Sequence, residues 1–342
     1  MDKADVIRWL SAKKAVRQGT KVGIPLIIGL GLLWYVYRDV DVTRMWEDIL
    51  KGVRYEIIAG SLLFGLMANI IRGVRWCLLL DQLETPFRKC NAIHAVLGNY
   101  TVNLVLPRVG EIWRCGVVAR YDKIPFTKLF GTLLIDRVSD VVAVGVIAFF
   151  VLLFNVPFLR EFLTAHPSLF NGQGGLFRSV WLYVVLAVGI IGIWFILRYM
   201  QDFSFVRKLR ELLGNVWIGM RSVWTMKRKR LFLVHTVLIW GLYFLYFYVT
   251  FFAFDFTKDL GIGTGILAFV MGSIAVAVPV QAGIGAWHFA IMATLCYLGV
   301  AESDAGAFAL VVHTIQTVWT GLCGLVSIAL LPLLNRERKE KL

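Results

Sequence analysis

The chain alternates long apolar stretches with short polar segments. The apolar stretches lie near positions 22–37, 55–80, 130–154, 179–198, 231–254 and 306–332. A helix rises about 1.5 Å per residue, so about 20 apolar residues are needed to cross a hydrocarbon core about 30 Å thick. The pattern therefore predicts an all-α integral membrane protein with six full transmembrane helices.

Two further apolar stretches, 91–119 and 261–300, are broken by proline and glycine. The breaks fall at Pro107 and Gly110 in the first stretch, and at Pro279, Gly283 and Gly285 in the second. Backbone groups freed by such a break are tolerated at membrane depth only when they are buried in protein or line a wet cavity. We therefore predict two re-entrant hairpins with these residues as hinges. Corresponding breaks in two halves indicate an inverted repeat, with the binding site where the breaks meet.

Lysine and arginine are concentrated in alternate polar segments. With both broken stretches placed as re-entrant hairpins, 24 of the 36 basic residues fall on one side of the membrane and 7 on the other. Short loops rich in lysine and arginine stay in the cytoplasm. We therefore expect a protein of the cell (inner) membrane with both termini in the cytoplasm. The first hairpin then enters from inside and the second from outside.

The segments outside the spans are expected at the membrane surface. Residues 1–21 alternate basic and apolar positions, which is typical of an interfacial amphipathic helix rather than a cleavable signal. Residues 198–230 form a basic cytoplasmic connector, and 155–178 form an external loop. Residues 22–334 are predicted to be one polytopic domain, and 335–342 a cytoplasmic tail.

Composition agrees with this placement. Hydrophobic residues make up 58% of the chain and charged residues only 17%, whereas about a quarter of a soluble protein is charged. The net charge of +14 follows from the cytoplasmic loops, where anionic lipid attracts basic residues, so no nucleic acid is expected as a partner. The five cysteines lack metal or disulfide spacing, and His94, His235 and His313 lie on separate elements. We expect no metal and no cofactor.

Eight charged residues remain inside the predicted membrane segments. They are Arg72, Arg75, Arg108, Glu111, Arg114, Asp136, Arg137 and Asp140. Each costs about 2.5–3.5 kcal/mol at the bilayer centre, so they require partners, water or a charged ligand. The arginines exceed the acids by two, and a guanidinium matches the oxygens of a phosphate.

We predict from these charges a site for a phosphate headgroup. Arg108, Arg114 and Arg137 would hold the phosphate, helped by the helix N-terminus at the break. The three acids would hold the arginines in place and could engage an amine or a proton. The other predicted binding residues are Asn103, Arg72, Arg75, Gln281 and His288.

These residues also have purely structural interpretations. Arg72 and Arg75 lie toward the cytoplasmic end of their helix and could snorkel to the headgroups. The charges at 136–140 could form an ion-pair lock between spans, and those at 108–114 could serve only the break. His288 could be an interior histidine that donates to a carbonyl.

Three motifs resemble the transmembrane region of lysylphosphatidylglycerol synthases and related flippase-like proteins. The segment from Asn103 to Arg114, with Pro107 and Gly110-Glu111, resembles the family's asparagine, proline, glycine-glutamate and arginine motif. The segment 136–140 is similar to an acidic-Arg-x-x-Asp motif. The segments 279–285 and 299–300 are similar to a late proline- and glycine-rich motif. The resemblance covers roughly residues 22–334.

This resemblance implies movement of lipids, such as aminoacylated phosphatidylglycerol, between leaflets, and some relatives are linked to isoprenoid-linked glycan pathways. The soluble aminoacyl-transfer domain of full-length synthases has no counterpart in this sequence, so no enzyme activity is expected. The chain has Trp287-His288 where many members carry glutamate, and Asp136 where glutamate is usual. These departures leave the lipid open.

The residues and the resemblance together predict a flippase- or scramblase-like transporter of an anionic or aminoacylated phospholipid or an isoprenoid-phosphate lipid. The sequence has no nucleotide-binding G-x-x-x-x-G-K-[ST] motif, so gradients, membrane potential or a partner would supply any driving force. The alternatives are a secondary transporter or channel for a small ion or solute, and a structural subunit for envelope enzymes. A membrane-embedded lipid-phosphate enzyme would use Glu111, Asp140 or His288 as acid or base. Association with itself or with an envelope-biosynthesis partner also stays open.

Overall fold

The computed structural model describes residues 52–155, 226–278 and 280–336, with Phe158 and scattered positions between 27 and 38. The predicted spans at 179–198 and, apart from those positions, at 22–37 lie outside the described residues. So do residues 1–21, Pro279, nearly all of the external loop, and most of the connector and tail. The described part is helical and contains no strand.

Eight α-helices are described. In chain order they are α1 (Tyr55–Leu80), α2 (Lys89–Val105), α3 (Val109–Asp122), α4 (Phe126–Phe154), α5 (Lys229–Tyr248), α6 (Ile262–Ala275), α7 (Ala286–Tyr297) and α8 (Glu302–Leu334). Short 3-10 helices follow α1 at Asp81–Leu83, extend α5 at Val249–Ala253, and occupy Gln281–Gly283 before α7.

Four of these helices, α1, α4, α5 and α8, are long and apolar enough to cross a membrane. They coincide with the predicted spans at 55–80, 130–154, 231–254 and 306–332, which are thereby confirmed as helices of membrane-spanning length. The agreement has a simple cause. A span must cover the hydrocarbon thickness with apolar side chains, so its length and composition are readable directly from sequence.

The first broken stretch folds as a helical hairpin made of α2 and α3. At its open end, Asn91 Nδ2 donates to both carboxylate oxygens of Asp122, at 3.1 and 3.0 Å. At its tip, the amide of Gly110 donates to Asn103 Oδ1 at 2.8 Å. Helices of 17 and 14 residues are about 26 and 21 Å long. Both ends of the hairpin therefore lie at the same end of the bundle.

The second broken stretch pairs α6 with α7. The two helices approach closely at Gly272, where a Cβ atom would lie 2.8 Å from Trp287 Nε1 and 3.1 Å from Ile291 Cδ1. These helices have only 14 and 12 residues, which is shorter than the roughly 20 needed for a full crossing. The described chain thus repeats one order, a long helix, a broken pair and a long helix.

The long helices that open the two halves, α1 and α5, run antiparallel. The amide of Arg54, just before α1, donates to the carbonyl of Ala253 just after α5, at 2.9 Å. Near the other end, Arg75 Nη1 donates to Thr236 Oγ1 at 3.1 Å. Because each helix leads into a broken pair, the two pairs begin at opposite ends of the bundle.

Polar segments that the charge pattern assigns to the same side of the membrane lie at the same end of the bundle. At one end, Asn335 Nδ2 donates to Asn91 Oδ1 at 2.7 Å, which joins the end of α8 to the base of the first hairpin. At the other end, Arg54 pairs with Asp255 at 3.0 Å. There, the hydrogen bond and charge of Lys258, together with Arg54, lower the pKa of Asp255 below its usual value. Segments predicted to share a side therefore do meet.

The chain divides into two units, residues 1–145 with 230–342, and residues 146–229. All contacts of the candidate site lie in the first. Within it, α8 packs closely against α2, because Thr101 Oγ1 donates to the carbonyl of Gly321 at 2.8 Å and Gly324 leaves no room for a side chain beside Thr101. The apolar core of the second half is aromatic, with Phe251 and Phe308 perpendicular at 5.2 Å.

Candidate functional site: a buried network of charges

Seven of the eight predicted intramembrane charges meet in one network. Three helices carry them: α1 contributes Arg72 and Arg75, α3 contributes Glu111 and Arg114, and α4 contributes Asp136, Arg137 and Asp140. Four arginines face three acids, which leaves a formal excess of one positive charge. The eighth residue, Arg108, lies apart at the tip of the first hairpin.

Asp136 is the centre of this network. Its carboxylate accepts hydrogen bonds from Arg75 at 2.6 Å and from Arg114 and Arg137 at 2.9 Å each. The side chains of Asp136, Arg75 and Arg114 are all 0% exposed. Burying two guanidinium groups is unfavourable unless an opposite charge is in contact, and Asp136 supplies that charge to both.

Asp140 is the second acceptor, one helical turn along α4. It pairs with Arg72, with Arg75 at 2.7 Å and with Arg137 at 3.3 Å. Snorkelling of Arg72 and Arg75 to the headgroups is therefore the wrong interpretation. The two arginines are three residues apart on α1 and share a face. They meet two acids that share a face on α4, so both guanidinium groups turn inward.

Aromatic rings cover the faces of the buried guanidinium groups. Arg114 lies over the ring of Trp76 with its Cζ 4.7 Å from the centroid, and Arg75 lies over Phe232 at 5.2 Å. Trp76 is held by a hydrogen bond from its Nε1 to Thr132 Oγ1 at 3.0 Å. These contacts favour a cation over the ring and exclude water from it. Arg114, predicted to hold a phosphate, is therefore inaccessible in this conformation.

Among the described residues, the accessible edge of the network is formed by Arg137 and Glu111. Their side chains are 32% and 24% exposed, and Arg137 Nη1 lies 3.7 Å from Glu111 Oε1. Glu111 is positioned by Asn103, whose Nδ2 donates to Glu111 Oε2 at 3.2 Å. Asn103, which the sequence suggested as a ligand, instead holds the hairpin tip and the glutamate in place. A ligand reaching the network would first meet this edge.

The first break turns at Arg108 rather than at glycine. Arg108 has a left-handed backbone with φ +64°, a conformation that is uncommon outside glycine. Gly110 is already helical; it must be glycine because a Cβ there would lie 2.6 Å from Asn99 Oδ1 and 2.7 Å from Asn103 Oδ1. Pro107 precedes the turn. The predicted hinge is thus correct in place, with a different division of roles.

The two breaks lie against each other. Gln281 Nε2 donates to the carbonyls of Leu104 and Val105, the latter at 3.4 Å, and Arg108 Nη2 donates to the carbonyl of Ala277 at 3.3 Å. The predicted ligand Gln281 therefore binds the backbone of the other break. At the second break, left-handed φ angles occur at Ala282, Gly283 and Gly285, which explains two of the predicted hinge glycines.

His288 is buried at the second break, at 2% exposure. It forms no hydrogen bond with the described residues, so the interpretation as a carbonyl donor is wrong. Its ring packs against His313, with centroids 4.6 Å apart, and it is His313 whose Nε2 lies 3.0 Å from the carbonyl of Ala282. In the described part of the chain, no three metal-binding side chains come together.

Four polar residues of the site were missed at the level of sequence. Tyr243 lies beneath Arg72, with the Arg72 Cζ 5.4 Å from its ring, and its hydroxyl bonds to Asn69 and, at 3.0 Å, to Tyr100. The fourth is His313. Asn69 carried a usable signal, since an asparagine three residues before Arg72 in an apolar helix lies on the same face. The tyrosines gave none, because a tyrosine in an apolar segment is ordinarily read as an interface anchor.

The fold and the network define a multi-pass membrane protein of helical type with charged residues buried between its helices. The family model described as "Lysylphosphatidylglycerol synthase TM region" matches residues 22–324. The chain belongs to this family, and a membrane function related to lipid follows. The chain matches no curated protein and no solved structure.

Proposed function

We propose that the protein moves an anionic or aminoacylated phospholipid, or an isoprenoid-phosphate lipid, between the two leaflets. Family membership supports a lipid-related role. The observation that carries the proposal is the accessible edge of Arg137 and Glu111 beside a positively charged, otherwise shielded network. The phosphate diester of a lipid would form an ion pair with Arg137, and an amine of its headgroup would form one with Glu111.

Exposed apolar side chains around Arg108 favour a lipid over a small solute. Val105 and Ile112 are 62% and 52% exposed, and Val109 is 39% exposed. A charged group between apolar surfaces suits an amphiphile, whose headgroup meets the arginine while its chains stay on the apolar side. A pore for an ion would instead be lined by polar groups along its length. The exposed apolar side chains therefore place a transporter of a small solute second, behind a transporter of lipid.

The repeated helix order suggests how translocation could proceed. In this proposal the chain has six full spans, and the α2–α3 and α6–α7 pairs are re-entrant hairpins of an inverted repeat. The antiparallel start of the two halves and the contact between the breaks support it. Rocking one hairpin against the other would open the arginine edge to each leaflet in turn. The buried acids keep the arginines fixed during that motion.

Removal of the two accessible arginines tests the proposal. In vesicles containing fluorescent phosphatidylglycerol, the variant Arg108→Gln plus Arg137→Gln is expected to lower the translocation rate about tenfold or more, because each charge-assisted hydrogen bond is worth about 1.5–3 kcal/mol. The matched control is Arg120→Gln plus Lys128→Gln, which removes two exposed charges. Equal rates for both double variants would remove the proposed role. The single variant Arg108→Gln is measured as well, because it leaves the buried network intact and a lower rate in it is not caused by misfolding of that network.

Cysteine labelling tests the proposed orientation. In a background without native cysteines, Lys258→Cys is expected to react with an impermeant maleimide in intact cells, and Lys128→Cys only after permeabilisation. The reason is that Lys258 and Lys128 lie in segments that the arginine and lysine bias assigns to opposite sides. The reverse labelling pattern, or labelling of both, would overturn the topology.

Enzyme activity has a distinct signature. If the purified protein converted a lipid phosphate to a product and His288→Ala abolished this activity, the protein would be an enzyme rather than a transporter. Within the described parts of the charged network and the two breaks, no serine, threonine or cysteine is hydrogen-bonded to a histidine or a carboxylate, the pairing that such chemistry uses.

A further inference from the structure

Two imidazoles are packed together at the second break, away from the arginine network. His288 on α7 and His313 on α8 have ring centroids 4.6 Å apart, inclined by 55°. His288 is 2% exposed, and its Nδ1 is buried without a hydrogen-bond partner among the described residues. Histidine is the side chain whose charge ordinarily changes between about pH 5 and 8. In the tautomer that carries its hydrogen on Nε2, the Nδ1 of His288 has a free lone pair that can take a proton.

The surroundings of the pair are apolar and aromatic. Trp287 packs against both rings, with centroids 5.7 Å from His288 and 5.2 Å from His313. Among the described residues, the other titratable group in contact is the phenol of Tyr37, 5.9 Å from His288, whose hydroxyl donates to the carbonyl of Gly306 at 2.9 Å.

Charged groups around the pair are more distant. The nearest acids along α8 are Asp304 and Glu302, and Asp304 lies nine residues before His313, about 14 Å along the helix. The α5 side chains next to Trp287 are phenylalanines such as Phe247. From the first break, the cation Arg108 binds the carbonyl of Ala277. No carboxylate in the described contacts of the pair neutralises a proton there.

The geometry allows one proton and opposes a second. After a small rotation, an N–H of one protonated ring can donate to the free nitrogen of the other, so that the two rings share the charge. A second proton would place two like charges a few ångströms apart in an apolar site, which is strongly unfavourable. The expected stoichiometry is one proton for the pair.

The pair is tied to a strained part of the backbone. His313 Nε2 lies 3.0 Å from the carbonyl of Ala282, and Ala282 is a non-glycine residue with φ +53°. Such a residue persists only when neighbouring contacts hold it, at a cost of about 1–3 kcal/mol. The adjoining Gln281 binds the carbonyls of Leu104 and Val105 in the first break. A charge placed on the pair therefore acts directly where the two breaks meet.

We infer that His288 and His313 form a proton-binding site that couples lipid translocation to pH. This inference rests on the proposed function. In the apolar pocket the neutral pair is favoured, and the protonated pair is favoured when the second break opens to water. Protonation and opening of the second break therefore promote each other, and this coupling is reciprocal. A proton gradient then becomes a source of driving force in a protein without a nucleotide motif.

The first test measures translocation with the same pH on both sides of the vesicle, using phosphatidylglycerol, whose headgroup charge is constant over this range. The wild type is expected to be about five-fold or more faster at about pH 5.5 than at about pH 7.5. The variant His288→Gln plus His313→Gln is expected to translocate at a rate that varies less than about two-fold. His94→Gln, a histidine outside the pair, should retain the wild-type response. Translocation by the wild type without that pH response would overturn the inference and leave the proposed function intact.

The second test does not depend on transport. Hydrogen exchange of the segment 280–286, corrected for the intrinsic pH dependence of exchange, is expected to increase in the wild type on acidification. The increase should be absent in His288→Gln plus His313→Gln, in which glutamine at 313 can still donate to the carbonyl of Ala282. If the wild type moves no lipid, the proposed function fails and this measurement alone decides the proton site. Identical exchange in wild type and variant at both pH values would overturn it.

Discussion

Replacing Asp136 by asparagine is expected to destabilise the protein by about 3–5 kcal/mol, the typical cost of removing one partner from a buried ion pair. The carboxylate serves three arginines, and two of them, Arg75 and Arg114, are fully buried. Arg114 has no other hydrogen-bond partner among the described residues, since its Nε and Nη1 are buried without one. Its charge would be left with the ring of Trp76 alone.

The measurement is denaturant or thermal unfolding of the purified protein in detergent, followed by tryptophan fluorescence. Asp255→Asn is the matched control: it breaks an exposed ion pair with Arg54, and exposed pairs contribute little. Adding Arg114→Met to Asp136→Asn should restore part of the lost stability, because it removes one of the uncompensated charges. An Asp136→Asn variant as stable as Asp255→Asn would show that the arginines find other partners or water.

Substituting alanine for Gly110 is expected to produce the second largest effect, a loss of about 3 kcal/mol, the upper part of the usual range for overpacking. The new methyl would lie 2.6 Å from Asn99 Oδ1 and 2.7 Å from Asn103 Oδ1, and closer still to the Asn99 carbonyl. A backbone carbonyl inside α2 cannot move aside cheaply. The hairpin tip must open, and Glu111 would then lose its contact with Asn103.

Gly116 provides the control on the same helix. No atom lies within 4 Å of a Cβ placed there, so Gly116→Ala is expected to raise stability by about 0.5–1 kcal/mol through helix propensity. Both variants are measured by the same unfolding curve. Gly110→Ala should also reduce lipid translocation, because the α3 charges begin one residue after the glycine. A neutral Gly110→Ala would mean that the hairpin tip is looser than its contacts indicate.

The electrostatic design separates two tasks among similar residues. Arg75 and Arg114 are 0% exposed and each is paired with Asp136, whereas Arg137 keeps 32% of its side chain exposed. The first two stabilise the packing of α1, α3 and α4. The network as a whole carries one excess positive charge, and Arg137 is its arginine at the accessible edge. Variants of the buried arginines should therefore act first on stability, and variants of Arg137 first on ligand binding.

The hairpins illustrate how far local signals reach. Proline and glycine predicted a break near Gly110, because proline removes a backbone donor and glycine permits close approach. The left-handed residue proved to be Arg108. The turn was thus predictable to within a few residues. Which residue took the unusual backbone depended on the contacts of Asn103 and Gly110 across the hairpin, which are properties of the folded pair.

The histidines illustrate the opposite limit. His288 and His313 are 25 residues apart on different helices, and nothing in their local sequence relates them. They meet because α7 and α8 pack side by side after the second break. The ion-pair partners of Arg72 and Arg75 were not predictable for the same reason. Their position near a helix end favoured snorkelling, but the antiparallel partner α4 presented two carboxylates at matching height.

The sequence alone determined that this is a helical membrane protein, where four of its long helices lie, where the chain breaks, and that seven of the eight charges in the apolar segments would need partners. Those properties follow from one-dimensional quantities: the apolar length that crosses a bilayer, the chemistry of proline and glycine, and the cost of a buried charge. Only the tertiary structure decided that Asp136 pairs with three arginines, that Arg137 is accessible while Arg114 is not, and that Gln281 binds the backbone of the other break. These outcomes depend on the rotation and height at which helices distant in sequence dock, because ion pairs act over a few ångströms and their partners are chosen by packing.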